Sequence, residues 1–300
     1  MTTDSLLNTF DLPAGISQLR WVLGDQLDAS HSWFSKIDPT VAYVIAELRQ
    51  ETDYVPHHVQ KVCAFFAAMR NFADARAAEG HVVVYLDLDA TADYASLPAL
   101  IAELVQRNAV SHFTYQRPDE LRLLEQMAAL KLPTDCAIKR VESEHFLLPF
   151  EEIPSFFKPD KAVRMENFYR KMRKRHNVLM VGDQPRGERW NFDAENRKKL
   201  KKADIEALPA PLIFSNEMGT ILARLERHGV RTIGQAAEQL VWPITREQAL
   251  QQLHFFCAEC LPKFGSFQDA MTSQSPHRWS LYHARVSFAL NVKILSPAEV

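Results

Sequence analysis

Between Gln18 and Leu27 the chain reads Q-L-R-W-V-L-G-D-Q-L. The apolar residues Leu19, Trp21, Val22 and Leu23 stop abruptly at Gly24-Asp25, as a buried strand does when it ends in a tight turn. Four more runs of this kind follow, Val41 to Ala46, Val82 to Leu86, Ser111 to Tyr115 and Ala137 to Val141. Segments with helical spacing stand between them. The clearest spans 51–80, where Val59, Val62, Phe66, Met69 and Ala73 recur at steps of three and four, Pro56 suits a first turn and Gly80 an exit. Leu97, Leu100, Ile101, Leu104 and Val105 mark a second helix, and Asp119 to Leu130 a third. Strands alternating with helices imply a parallel sheet covered on both faces, so the fold class is α/β, with this domain expected at residues 15–145.

In an open parallel sheet, ligands lie at the carboxyl ends of the strands. Asp25, Gln26 and Leu27 occupy that position, although a plain strand-to-loop exit would read the same way. Glu47, Glu51, Tyr54, His58 and Lys61 fall on the same edge, where carboxylates, a phenol, an imidazole and an amine can converge on one polar planar ligand. The competing reading is that Asp53 caps the helix and the others are solvated.

After His145 the sequence turns rich in proline and aromatic residues, which reads as a linker laid over a surface. From Val163 onward no strand pattern returns. Helices are expected at Val163–His176, Asn216–Arg227, Arg246–Leu261 and Ser280–Leu295. The formal charge of −2 conceals a basic block, because Lys161 to Lys202 holds fourteen Lys or Arg against five Asp or Glu. Tyr169, Trp190 and Phe192 are interleaved with those cations, which suits phosphates and unpaired bases, while a solvated basic face is the commoner origin of such a run. With nine glycines in all, neither G-x-G-x-x-G nor a P-loop is present. Cys257-x-x-Cys260 lacks a second pair and reads as two small core residues. His57-His58 lacks companions at metal-ligand spacing. The four cysteines form no disulfide framework and no run reaches membrane-span length, so a cytoplasmic protein is expected.

G-D-Q-L at 24–27, E-T-D-Y-V-P-H-H at 51–58, A-M-R-N-F-A at 68–73, M-E-N-F-Y-R-K-M-R at 165–173 and G-E-R-W-N-F-D-A-E-N-R at 187–197 resemble the iron–sulfur class of bacterial cryptochrome/photolyase proteins, the prokaryotic (6-4) photolyases. F-G-S-F-Q-D-A-M at 264–271 and L-Y-H-A-R-V-S-F-A-L-N-V-K-I-L-S-P at 281–297 continue the resemblance. It implies a Rossmann-like antenna domain at 15–145, a linker with a DNA-facing basic stretch at 146–210, and the opening of an all-helical FAD domain at 211–300. It also implies a 6,7-dimethyl-8-ribityllumazine antenna held at Asp25, Gln26, Leu27, Ala46, Glu51, Tyr54 and Lys61, with Ala46 where the family often has cysteine. FAD phosphates would lie at His283, Ala284, Val286 and Ser287, with Ala284 in place of the usual serine. DNA phosphates would meet Arg173, Arg189 and Lys198.

The implied activity of the intact protein is light-driven repair of damaged DNA, with (6-4) photoproducts the expected lesion and a monomer the expected state. Two other readings stay open, a blue-light signalling protein of the cryptochrome kind and a non-enzymatic lumazine-binding domain. By the same resemblance, the ligands of the 4Fe–4S cluster and most of the flavin pocket fall beyond Val300, so the chain is expected to be the first three-fifths of such a protein and inactive alone. On that view Val286, Phe288, Ala289, Leu290 and Ile294 have nothing to cover them, and an unstable C-terminal third follows.

Overall fold

Six parallel strands form the central sheet: β1 (Leu6–Leu7), β2 (Gln18–Trp21), β3 (Val41–Ala46), β4 (Val82–Leu86), β5 (His112–Gln116) and β6 (Ala137–Val141). Their order is β1-β4-β3-β2-β5-β6. The chain steps outward from β2 to β3 and β4, then returns to place β5 on the other side of β2, which makes the carboxyl ends of β2 and β5 a topological switch point. This is the expected Rossmann-like α/β architecture. Val41–Ile45 of β3 are all buried, as a central parallel strand requires. The strand missed by sequence reading is β1, whose two residues are too short to show alternation.

The computed structural model describes residues 6–300. By internal packing they form two units, one reaching to Phe146 and adding Ile213–Gln252 and Val286–Val300, the other made of Leu147–Leu212 and Leu253–Arg285. These are groupings by packing; the division at 145 and 210 is one of sequence character, and we keep it as a proposal.

In the first unit, α1 (Val59–Ala78), α2 (Leu97–Arg107) and α3 (Leu121–Ala128) flank the sheet. The five apolar positions expected on α2 are all buried, in a core shared with Leu19, Trp21 and Phe113. Each such large side chain contributes about 1.5–3 kcal/mol by leaving water. Helix α1 starts at Val59, later than expected, because His58 caps it: its Nδ1 accepts from the Gln60 N–H at 3.2 Å. Asp53 ends a separate turn, Arg49–Asp53, and pairs with Arg49. Gly80 provides the exit with φ of 97°.

Helices α4 (Met165–His176) and α5 (Gly219–Arg227) lie within their expected spans. The helix expected over 246–261 runs from Arg246 to Phe255, widens to a π turn at Phe256–Cys260 and resumes at Leu261–Phe267. Strand pairing does return after Val163, as two-residue ladders without a readable period: Met180–Val181 with Gln184–Pro185, Asn216–Glu217 with Gln239–Leu240, and Thr232–Ile233 with His57–His58.

The expected long helix at Ser280–Leu295 is corrected. Leu281 and Arg285 take φ of 45° and 56°, which interrupts a helix, and helical residues are confined to Ser287–Asn291. Val286, Ala289 and Ile294 are buried, and Phe288 meets Phe65 edge-on at 5.6 Å. The side chains expected to be bare are packed within the first unit. The first unit thus draws part of its buried apolar surface from sequence far from the sheet.

Candidate ligand-binding site

A cavity of about 290 Å³ opens at the carboxyl ends of β2 and β3. Trp21, Leu23, Phe65, Phe66 and Met69 line its apolar part, and Asp25, Glu51, Tyr54, His57 and Lys61 bring polar groups to it. Of the seven antenna positions, Asp25, Ala46, Glu51, Tyr54 and Lys61 are on this wall. Gln26 and Leu27 are buried and brace the turn instead. The Gln26 Oε1 accepts from the Leu23 N–H, and its Nε2 donates to the carbonyls of Gln116 and Arg117, both at 3.3 Å, which ties the ends of β2 and β5 together. The Leu27 N–H donates to the Val292 carbonyl.

The polar wall is built around Arg122, just inside α3. Its guanidinium grips both carboxylate oxygens of Glu51, at 2.7 and 3.2 Å, and also bonds Glu120. Tyr54 lies under that guanidinium, 4.5 Å from ring centroid to the central carbon, and His57 meets the Tyr54 ring edge-on. Burial, followed by the nearby Lys61 charge, pushes the His57 imidazole down from its usual range. The Lys61 ammonium can only donate, so the His57 Nδ1 accepts from it at 3.2 Å. Burial likewise pushes the Tyr54 phenol up, which keeps it a donor. His58, expected in this cluster, lies outside it: the backbone at 57–58 is extended, so neighbouring side chains point opposite ways, and His57 is the one that lines the cavity. The four-residue spacing of His57 and Lys61 carried that signal. Nothing local marked Arg122 or Glu120.

Glu47 abuts the cavity but is engaged by the protein. Wholly buried, it accepts from the Tyr85 hydroxyl at 2.6 Å and the Leu88 N–H at 3.0 Å, with Arg224 beside it. Burial pushes its carboxyl up, opposed by Arg224.

In the second unit, the basic block is only partly free. Arg173 is 8% exposed, donates to the carbonyls of Val178 and Leu179, and lies over Trp190 together with Arg170 and Lys174. Its guanidinium secures the end of α4, where Asn177 takes the left-handed conformation. Arg189 is exposed, paired with Glu195 at 2.6 Å and stacked on Phe192; Lys198 is exposed. The proposed flavin positions are dispersed in character. His283 and Ser287 are exposed, Ala284 is half-buried, Val286 is buried, and the helix after them has only five residues. Cys260 is buried as expected, whereas Cys257 is exposed. Among the described residues no group of three or more His, Cys, Asp or Glu side chains is arranged to hold a metal ion, and no helix is long and apolar enough to cross a membrane.

Fold and cavity together define a doubly wound α/β protein with a small-ligand-sized cleft beside its switch point. The model of the family described as deoxyribodipyrimidine photo-lyase-related proteins matches residues 20–241. The chain is 31% identical over 288 residues to a (6-4) photolyase of Agrobacterium fabrum, covering 95% of this chain and 56% of that protein. It is 24% identical over 172 residues to an uncharacterized protein of Acanthamoeba polyphaga mimivirus, covering 54% of this chain and 85% of that protein. The chain belongs to the deoxyribodipyrimidine photo-lyase-related family. It spans just over half the length of the Agrobacterium photolyase.

Proposed function

We propose that the chain is the light-collecting part of a light-dependent DNA repair flavoprotein, with a lumazine-type antenna held in the cavity beside Asp25 and Lys61. The observation that carries this reading is the pairing of an aromatic and thioether wall, Trp21, Phe65, Phe66 and Met69, with a polar wall bearing donors and acceptors. An apolar wall suits the faces of a flat heterocycle, and the Lys61 ammonium and Tyr54 hydroxyl suit its carbonyls. At about 290 Å³ the cavity stands at the lower end of the roughly 300–1,000 Å³ usual for small-molecule sites, which favours one bicyclic ring with a short chain over a dinucleotide. The small Ala46 side chain leaves room at the strand end. A bound lumazine would supply absorption of blue light; the protein's share is to stack it, orient it and exclude water.

Damaged DNA as the partner follows from kinship and from the basic stretch of the second unit, where Arg189 and Lys198 are the residues we favour for meeting phosphates. The name of the Agrobacterium relative makes (6-4) lesions the substrate we propose for the whole protein. FAD belongs to the reading through kinship alone. His283, Ala284, Val286 and Ser287 as they stand do not fit a pyrophosphate cradle, for lack of a helix long enough to present its amides.

The test is an absorption spectrum of the purified chain, then denaturation and chromatography of whatever is released. A released lumazine, or saturable binding of added 6,7-dimethyl-8-ribityllumazine that a Lys61→Ala change weakens, is the expected result. A chain that releases no chromophore and binds none on addition would overturn the reading.

A further inference from the structure

Lys293 is 2% exposed, and a lysine is almost never so buried unless paired. Its ammonium donates to Asp119 Oδ2 at 2.7 Å and to the Asp25 carbonyl at 2.7 Å, and lies 3.5 Å from Asp25 Oδ2. The two short bonds take the backbone of residue 25 and the carboxylate of residue 119. The Asp25 carboxylate gets only the long one. It keeps acceptor capacity, has a side chain 29% exposed, and lies on the cavity wall.

We propose that Lys293 is a positioning residue for the cavity, fixing the turn at Asp25 so that the Asp25 carboxylate presents an acceptor to a ring N–H or hydroxyl of the bound ligand. The inference rests on the reading of the cavity as a chromophore site. Burial pushes the Asp25 carboxyl up, Lys293 opposes that and Asp119 adds to it, so removing one neighbour or the other moves Asp25 in opposite directions. The charged groups behind Asp25 are Lys293 and Asp119, with His145 close to Lys293. Across the cavity stand Glu47, Glu51, Glu120, His57 and Lys61.

The experiment is titration of the full chain with 6,7-dimethyl-8-ribityllumazine, followed by fluorescence between about pH 4.5 and 7.5, with a thermal melt of every variant. In the unmodified chain affinity should rise with pH as Asp25 loses its proton, and Asp25→Asn should flatten that rise. Lys293→Met should weaken binding about tenfold at neutral pH and carry the inflection to higher pH. Asp119→Asn, which leaves the ammonium to Asp25, should carry it to lower pH, and serves alone if Lys293→Met does not fold. Inflections that stay in place, whether affinity is unchanged or uniformly reduced at every pH, would make Lys293 a purely structural residue and overturn the proposal. No binding by the unmodified chain at any pH would instead remove the chromophore reading on which it rests.

Discussion

Arg224 and Glu47 form an ion pair inside the first unit, with Nε 3.3 Å from Oε2 and a second arm of the guanidinium on Asp87 at 2.7 Å. Removing one partner of a buried pair leaves the other charge without compensation, at about 3–5 kcal/mol. Arg224→Met is therefore expected to lower the unfolding free energy by about that much at neutral pH, read from urea denaturation. The pH dependence has a definite sign. Because burial raises the Glu47 carboxyl, the folded state binds its proton more tightly than the unfolded chain, and stability falls as pH rises from the ordinary glutamate value to the raised one. Loss of Arg224 extends that window upward. The deficit of Arg224→Met should thus be smaller near pH 5 than near pH 8, and equal deficits would show that Glu47 is not the group responsible.

Gly234 packs against the imidazole of His58 where Thr232–Ile233 pairs with His57–His58. A β-carbon at 234 would fall 2.0 Å from the His58 Nε2, and the residue has φ of 82°. Gly234→Ala must displace the ring that caps α1 and also hold alanine in a left-handed conformation. A loss of about 1–3 kcal/mol in a thermal or urea melt is expected.

The three basic residues singled out in the second unit should separate on mutation. Arg173→Ala removes two bonds to carbonyls and the cover of Trp190, so its main effect is expected on the melting of that unit. Arg189→Ala combined with Lys198→Ala should leave melting nearly unchanged. It should weaken DNA binding at low salt and flatten the salt dependence by roughly 0.9 in log–log slope for each phosphate that is no longer neutralised. An unaltered slope in a filter-binding series would take both residues out of the interface.

Thiol chemistry offers a check on burial. Cys63, Cys136 and Cys260 are buried, and burial raises all three thiols, Cys63 to about 11. Cys257 is exposed. A disulfide reagent at pH 8 is expected to modify Cys257 rapidly in the native chain and the other three only after denaturation. Rapid modification of Cys260 would show that the π turn carrying both cysteines opens readily.

The sheet and its flanking helices were legible because each announces itself within a dozen residues: Leu97 to Val105 repeats at helical steps, and β3 is apolar from end to end. The two-residue strands escaped because no period can show in two residues. The helix through 280–295 was misread because apolar spacing says nothing of φ at Leu281 or Arg285, where the Arg285 guanidinium bonds the distant Leu212 carbonyl. Most of the cavity wall was readable from strand ends and the 51–61 cluster. Arg122, Arg224 and Lys293 were not, since each meets its carboxylate partner across tens to hundreds of residues.

The bond between Lys293 and Asp25 spans 268 positions of sequence. At about 5–20 residues per second, a ribosome needs on the order of ten seconds or more to make the lysine after the aspartate has emerged. From the time residue 119 is made, the nascent sheet carries Asp25 and Asp119 without the cation they share. Until the chain returns with Lys293 that carboxyl edge faces water, so the turn at Asp25 takes its final form only late in synthesis.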